Sequence, residues 1–123
     1  MKFEHLYYFG IRDIDQFEYK TIKSNKITVL KNINEICNVC HKYENIHISF
    51  DVDSLDPSHM YSTGTRVENG IDLSEIIFLI KYIKDYISST VNLDIVEYNP
   101  NIGSELEKEI SKETINLIID SLF

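Results

Sequence analysis

Tryptophan is absent from this 123-residue chain, and cysteine, proline and glycine are scarce, at two, two and four residues. With so little proline and glycine there is no low-complexity tract or Pro/Gly-rich linker, and no internal repeat or second domain boundary is visible, so residues 1–123 read as one unit. Basic side chains are also in short supply: twelve Lys and Arg face twenty Asp and Glu, for a formal charge of −8. That balance argues against nucleic acid and against an anionic membrane as partners. It suits a site that collects cations or a cationic substrate. No apolar run approaches the roughly 20 residues of a membrane-spanning helix. The opening stretch is interrupted by Glu4 and lacks a small-residue cleavage site, which makes a poor signal peptide. The expectation is a soluble, cytoplasmic protein, with 43% hydrophobic residues available for a core.

The two cysteines fall in Cys37-Asn38-Val39-Cys40-His41, the C-x-x-C-H pattern of covalent haem attachment. Yet Ile33, Ile36, Cys37, Cys40 and Tyr43 recur at helical spacing, which puts both thiols on the apolar face of a helix over about residues 32–44. Free cysteine behaves there as a small hydrophobe. Haem attachment also requires an oxidising compartment, and nothing directs export. The pair is expected in the core.

Apolar runs alternate with helical patterns along the chain. Strands are expected at 6–11, 27–30, 46–52 and 91–96. A short helix carries Phe17, Tyr19 and Ile22, and the cysteine helix follows the second strand. Asp72 with Glu75 resembles a capping box before a stripe of Leu73, Ile76, Ile77, Ile80, Ile83 and Ile87. A last helix starts near Ser104, again with an acid at Glu107, and presents Leu106, Ile110, Leu117, Ile118 and Leu122. Residues 54–70 form a long connection containing Pro57, Gly64 and Gly70, and loops of that length tend to be functional. The alternation predicts an α/β fold, a mainly parallel sheet between helical layers in a three-layer αβα arrangement. Such sheets bind ligands beyond the carboxyl ends of their strands. Three of the four strands end in acids: Asp13 and Asp15, then Asp51 and Asp53, then Glu97. One shared acidic pocket is the prediction.

Its centre is Ser49-Phe50-Asp51-Val52-Asp53-Ser54-Leu55-Asp56-Pro57. Residues two apart on a strand share a face, so Asp51 and Asp53 aim at one point. Carboxylate oxygens are hard ligands suited to manganese, magnesium or calcium. An EF-hand loop is excluded by Leu55 and Asp56 at its fifth and sixth positions, which call for an acid or amide and a glycine. A glycosidase pair would need carboxyls on opposite sides of a bond. Bridging two metal ions fits better. The plain alternative is a strand end followed by a turn at Asp56-Pro57.

Taken together, Ser49-Phe50-Asp51-Val52-Asp53-x-x-Asp56-Pro57, Thr63-Gly64-Thr65 and Gly70 resemble the signature of the ureohydrolases, the arginase and agmatinase family. Asp94-Ile95-Val96-Glu97-Tyr98-Asn99-Pro100 is similar to the family's next motif, and Gly10-Ile11-Arg12-Asp13-Ile14-Asp15-x-x-Glu18 to an upstream one. The Asn-Pro after Glu97 and the upstream acids look like arginase rather than agmatinase. Arginine carries an α-ammonium group that agmatine lacks, and Asp15 and Glu18 could recognise it directly or through water. The resemblance implies hydrolysis of L-arginine to L-ornithine and urea by a hydroxide bridging two manganese ions. In that reading Asp51 bridges both ions and Asp53 binds one. Glu97 pairs with the substrate guanidinium as the catalytic carboxylate, and Thr65 lies near the same group. Arg12 and Asp13 are expected to form a structural ion pair.

The family's histidine-containing metal cluster from its N-terminal half has no counterpart here, and His5, His41, His47 and His59 are not assigned to metal. Tyr61 stands where the signature loop usually has proline. By resemblance the chain is the C-terminal part of a single arginase-like domain, from a complete protein that forms a homotrimer. The isolated chain is expected to lack activity, because only one side of the bimetal site is present. Agmatine hydrolysis, or a non-catalytic fragment or binding module, are the alternatives.

Overall fold

Each helix begins at a side chain able to accept from the free amides of its first turn. In the computed structural model, which describes residues 2–123, Asp15, Asn32, Asp72 and Ser104 do this for α1 (Gln16–Ser24), α2 (Ile33–Cys40), α3 (Leu73–Tyr86) and α4 (Glu105–Leu122). Asp15 with Glu18 and Ser104 with Glu107 form complete capping boxes. The box expected between Asp72 and Glu75 does not close. Asp72 instead accepts from the nearer Ser74 amide at 2.8 Å, and its other oxygen lies 3.3 Å from His59 Nε2.

The strands are β1 (Tyr7–Phe9), β2 (Thr28–Leu30), β3 (Asn45–Asp51) and β4 (Thr90–Val96). Tyr7 pairs with Thr28 in one parallel ladder, and Asn45 with Thr90 through Asp51 with Val96 in the other. The direction is as predicted, because each pair is joined through a helix-bearing crossover. Among the described residues, however, the strands make two two-stranded sheets rather than one continuous sheet. The pairs meet at both ends, through the Tyr7 and Tyr43 hydroxyls at 2.8 Å and through Arg12 on the Ser54 and Asp53 carbonyls. β1 is shorter than the expected 6–11 because Gly10, at φ +71°, turns the chain. α2 stops at Cys40, short of 44, as its hydrogen bonds shift to the tighter Lys42-to-Val39 and Tyr43-to-Cys40 spacing.

One face of β3 and β4 supplies Ile46, Ile48, Phe50, Val91, Leu93 and Ile95 to the core beneath α2, α3 and α4. Phe50, Val52, Leu55 and Met60 pack with Ile76, Ile80 and Ile118 at the carboxyl end of the strands. Cys37 and Cys40 pack with Leu79, Ile83 and Ile87 at the other. Both cysteines are buried as expected, and burial raises their thiols above the ordinary range, which leaves them protonated and inert. His41, the third member of the haem-like motif, shares a 2.9 Å hydrogen bond with the Tyr82 hydroxyl. The opposite sheet face carries His47 and Asp94, 3.2 Å apart.

α4 departs from its expected apolar stripe. Leu106 and Leu117 are exposed, at 70% and 49%, whereas Ser111, Thr114, Ile118 and Ser121 are buried. The buried hydroxyls are tolerated because each is bonded. Ser111 Oγ donates to the Glu107 carbonyl and accepts from the Tyr61 and Ser62 amides, and Thr114 donates to the His59 carbonyl. α4 thereby holds residues 59–62 of the long loop against the end of the sheet. No described helix is long and apolar enough to cross a membrane.

A candidate carboxylate-rich active site

β3 ends at Asp51, and Val52–Ser54 is a 3-10 turn. Strand alternation therefore does not bring Asp51 and Asp53 together, contrary to the expectation from their spacing. The turn does so: Asp51 Oδ1 accepts from the Asp53 amide at 3.1 Å, with Val52 between them fully buried as the anchor. The β3–β4 register sets Val96 opposite Asp51, so Glu97 follows one residue beyond. Glu97 sits at φ +64°, a left-handed conformation that costs a non-glycine residue about 1–2 kcal/mol and collects at functional positions.

These groups share an electrostatic field. Burial, followed by the negative charge of Asp51 and a hydrogen bond to it, pushes the Asp53 carboxyl above the usual range. Glu97 adds in the same direction and the Arg12 guanidinium opposes it. Among the expected site residues, Asp51 and Asp53 thus adjoin, and the strand register sets Glu97 at the neighbouring strand end. Asp15 and Glu18 are joined to each other instead: Asp15 Oδ1 accepts from the Glu18 amide at 2.7 Å and Glu18 Oε2 from the Asp15 amide at 2.8 Å. Each keeps a second carboxylate oxygen outside this box. Thr65 is exposed on the loop, next but one to Thr63, whose buried Oγ1 has no partner.

Arg12 does not pair with Asp13. Its guanidinium donates to the carbonyls of Ser54 at 2.6 Å, Asp53 at 2.5 Å and Val67 at 3.0 Å. Spacing alone gave no sign of this, because backbone acceptors leave no trace in the pattern of side chains. The loop is closed further on by Gly70, where a Cβ would overlap the Leu55 carbonyl and the Asp56 amide. Ile71 and Leu55 form a parallel bridge there, with Asp56 N donating to Ile71 O at 3.0 Å.

As a donor set, Asp51 and Asp53 are hard oxygens crowded by like charge, a state that a divalent cation relieves. They fit one side of such an ion. Among the described residues there is no group of three or more His, Cys, Asp or Glu placed to hold a metal. Three of the four histidines approach carboxylates: His5 to Glu4 at 3.7 Å, His47 to Asp94 at 3.2 Å and His59 to Asp72 at 3.3 Å.

The arginase family model matches residues 1–122. The chain belongs to the arginase family. This arginase-family chain is 36% identical over 117 residues to the arginase of Glaciozyma antarctica, covering 85% of itself and 34% of that protein. The structure of Entamoeba histolytica arginase in complex with L-ornithine matches with a TM-score of 0.86 at 31% identity, over 100% of this chain and 44% of that one. Bacillus subtilis arginase matches with a TM-score of 0.80 at 26% identity, over 99% and 46%. The fold is the α/β arginase fold over the part this chain spans. That part is small: the chain covers 34% and 41% of the lengths of two curated relatives it matches.

Proposed function

We propose that this chain contributes one side of an arginase active site, hydrolysing L-arginine to L-ornithine and urea when the remaining side is present. The observation that carries this reading is the placement of the joined Asp51 and Asp53 and of Glu97 at the ends of two paired strands in an arginase-family chain. Asp51 and Asp53 would hold manganese, which when bound activates water at neutral pH. Glu97 would pair with the guanidinium, whose planar fork matches a carboxylate, and orient its carbon toward the acids. Water adds its oxygen to that carbon, the bond to the substrate's side-chain nitrogen breaks, and that nitrogen leaves protonated as the ornithine amine. Asp15 and Glu18 would recognise the α-ammonium group through the oxygens outside their capping box, and Thr65 would border the guanidinium.

Two carboxylates hold a hard ion weakly, since affinity rises with ligand number and charge. The chain alone is therefore expected to retain fewer than two manganese ions after dialysis and to release no urea. Elemental analysis and a urea assay with arginine and agmatine test this, and two tightly held ions with turnover would refute it. In a protein carrying this chain at the family's full length, arginine is the expected substrate. Asp53→Asn is expected to lower manganese content and urea release together there; agmatine turnover without arginine turnover would overturn the choice of substrate.

A further inference from the structure

Arg12 ties together segments that the strand ladders leave separate. It stands after β1, two of its acceptors lie on the turn that carries Asp53, and the third, Val67, lies on the loop that carries Thr65. The guanidinium takes this geometry at a cost to itself, since its Nε is buried without a partner. An arginine serving only as a counter-charge would turn to a carboxylate; Asp13 is adjacent in sequence, yet the donors go to carbonyls. A planar fork can bridge acceptors on two segments, whereas a single ammonium group cannot hold all three in fixed directions.

We propose that Arg12 is a positioning residue, which clamps the Asp53 and Ser54 carbonyls to that of Val67 and so sets the direction of the Asp51–Asp53 carboxylates and the seat of the Thr65 loop. It acts through those groups and does not touch substrate. The proposal rests on the reading of Asp51 and Asp53 as a metal-holding edge, and the test separates the two.

The test uses the isotope-labelled chain and its Arg12→Lys and Arg12→Gln variants. In wild type, a clamped guanidinium gives separate, slowly averaging Nη signals; one averaged signal overturns the clamp whether or not the variants fold. In both variants, amide exchange at 54–56 and 66–71 is expected to accelerate about tenfold or more, while Ile80 and Ile118 stay close to wild type. The manganese concentration that half-broadens the Val52 and Ser54 amides is expected to rise about tenfold, in the charge-conserving lysine variant as well. A lysine variant that matches wild type in both measurements overturns the proposal. If wild type shows no localised broadening, the metal reading fails, and selective or uniform acceleration of exchange then decides for or against the clamp.

Discussion

Ser111 accepts from two loop amides at 2.9 and 3.0 Å while fully buried, so removing its hydroxyl strands two donors at once. Ser111→Ala is expected to destabilise by about 2 kcal/mol or more in urea unfolding, since each stranded buried donor costs about 1–3 kcal/mol. A loss below half a kcal/mol, read at the same ~25 °C reference, would show that water replaces the hydroxyl. Glu97 predicts the opposite sign. With φ at +64°, Glu97→Gly relieves backbone strain and is expected to raise the unfolding midpoint by about 1 kcal/mol equivalent while removing the proposed guanidinium partner. An unchanged or lower midpoint contradicts that account. At Gly70 the obstacle is steric: Gly70→Ala overlaps the Leu55 carbonyl and is expected to cost about 1–3 kcal/mol.

The elements follow from local chemistry where the deciding partners are close in sequence. Ser104 and Glu107 form the expected capping box because both bonds span three residues. Hydrogen bonds from the Ser104 amide and hydroxyl, together with Arg66 at 3.5 Å, hold the Glu107 carboxyl below the ordinary carboxylate range. A depressed folded value means that the unfolded chain binds the proton first, so the stabilisation is complete above the ordinary glutamate range and is lost as pH falls through the folded value. Glu107→Gln is therefore expected to flatten the acid limb of the melting-temperature profile between about pH 5 and pH 3. A parallel profile would assign that limb to other acids. The buried face of α4 was less legible. Leu106 and Leu117 looked like core by type, but Ser111 and Thr114 take inward positions because loop amides and a loop carbonyl are there to bond them, and Ser121 does so by donating back to the Leu117 carbonyl of its own helix. The signal was present in the 111, 114, 118, 121 spacing, and side-chain polarity masked it.

Across the whole molecule, stability is unevenly distributed. α1 buries no residue and leaves Phe17 and Tyr19 exposed, whereas β3, β4, α3 and α4 share the core around Val52 and Ile118. Amides of β1, α1 and β2 are expected to exchange through local opening at lower free energy than those of Phe50, Ile80 and Ile118; uniform protection would make the chain one cooperative unit. Acids at strand ends, parallel pairing and the buried cysteines could be read from the sequence alone, because periodicity records which side chains face inward and which stand past a strand. How the acids meet was decided only in three dimensions. The Arg12 clamp depends on backbone carbonyls 41 to 55 residues away, and peptide carbonyls are the same in every sequence; the turn after Asp51 and the left-handed Glu97 are backbone conformations that side-chain periodicity does not record.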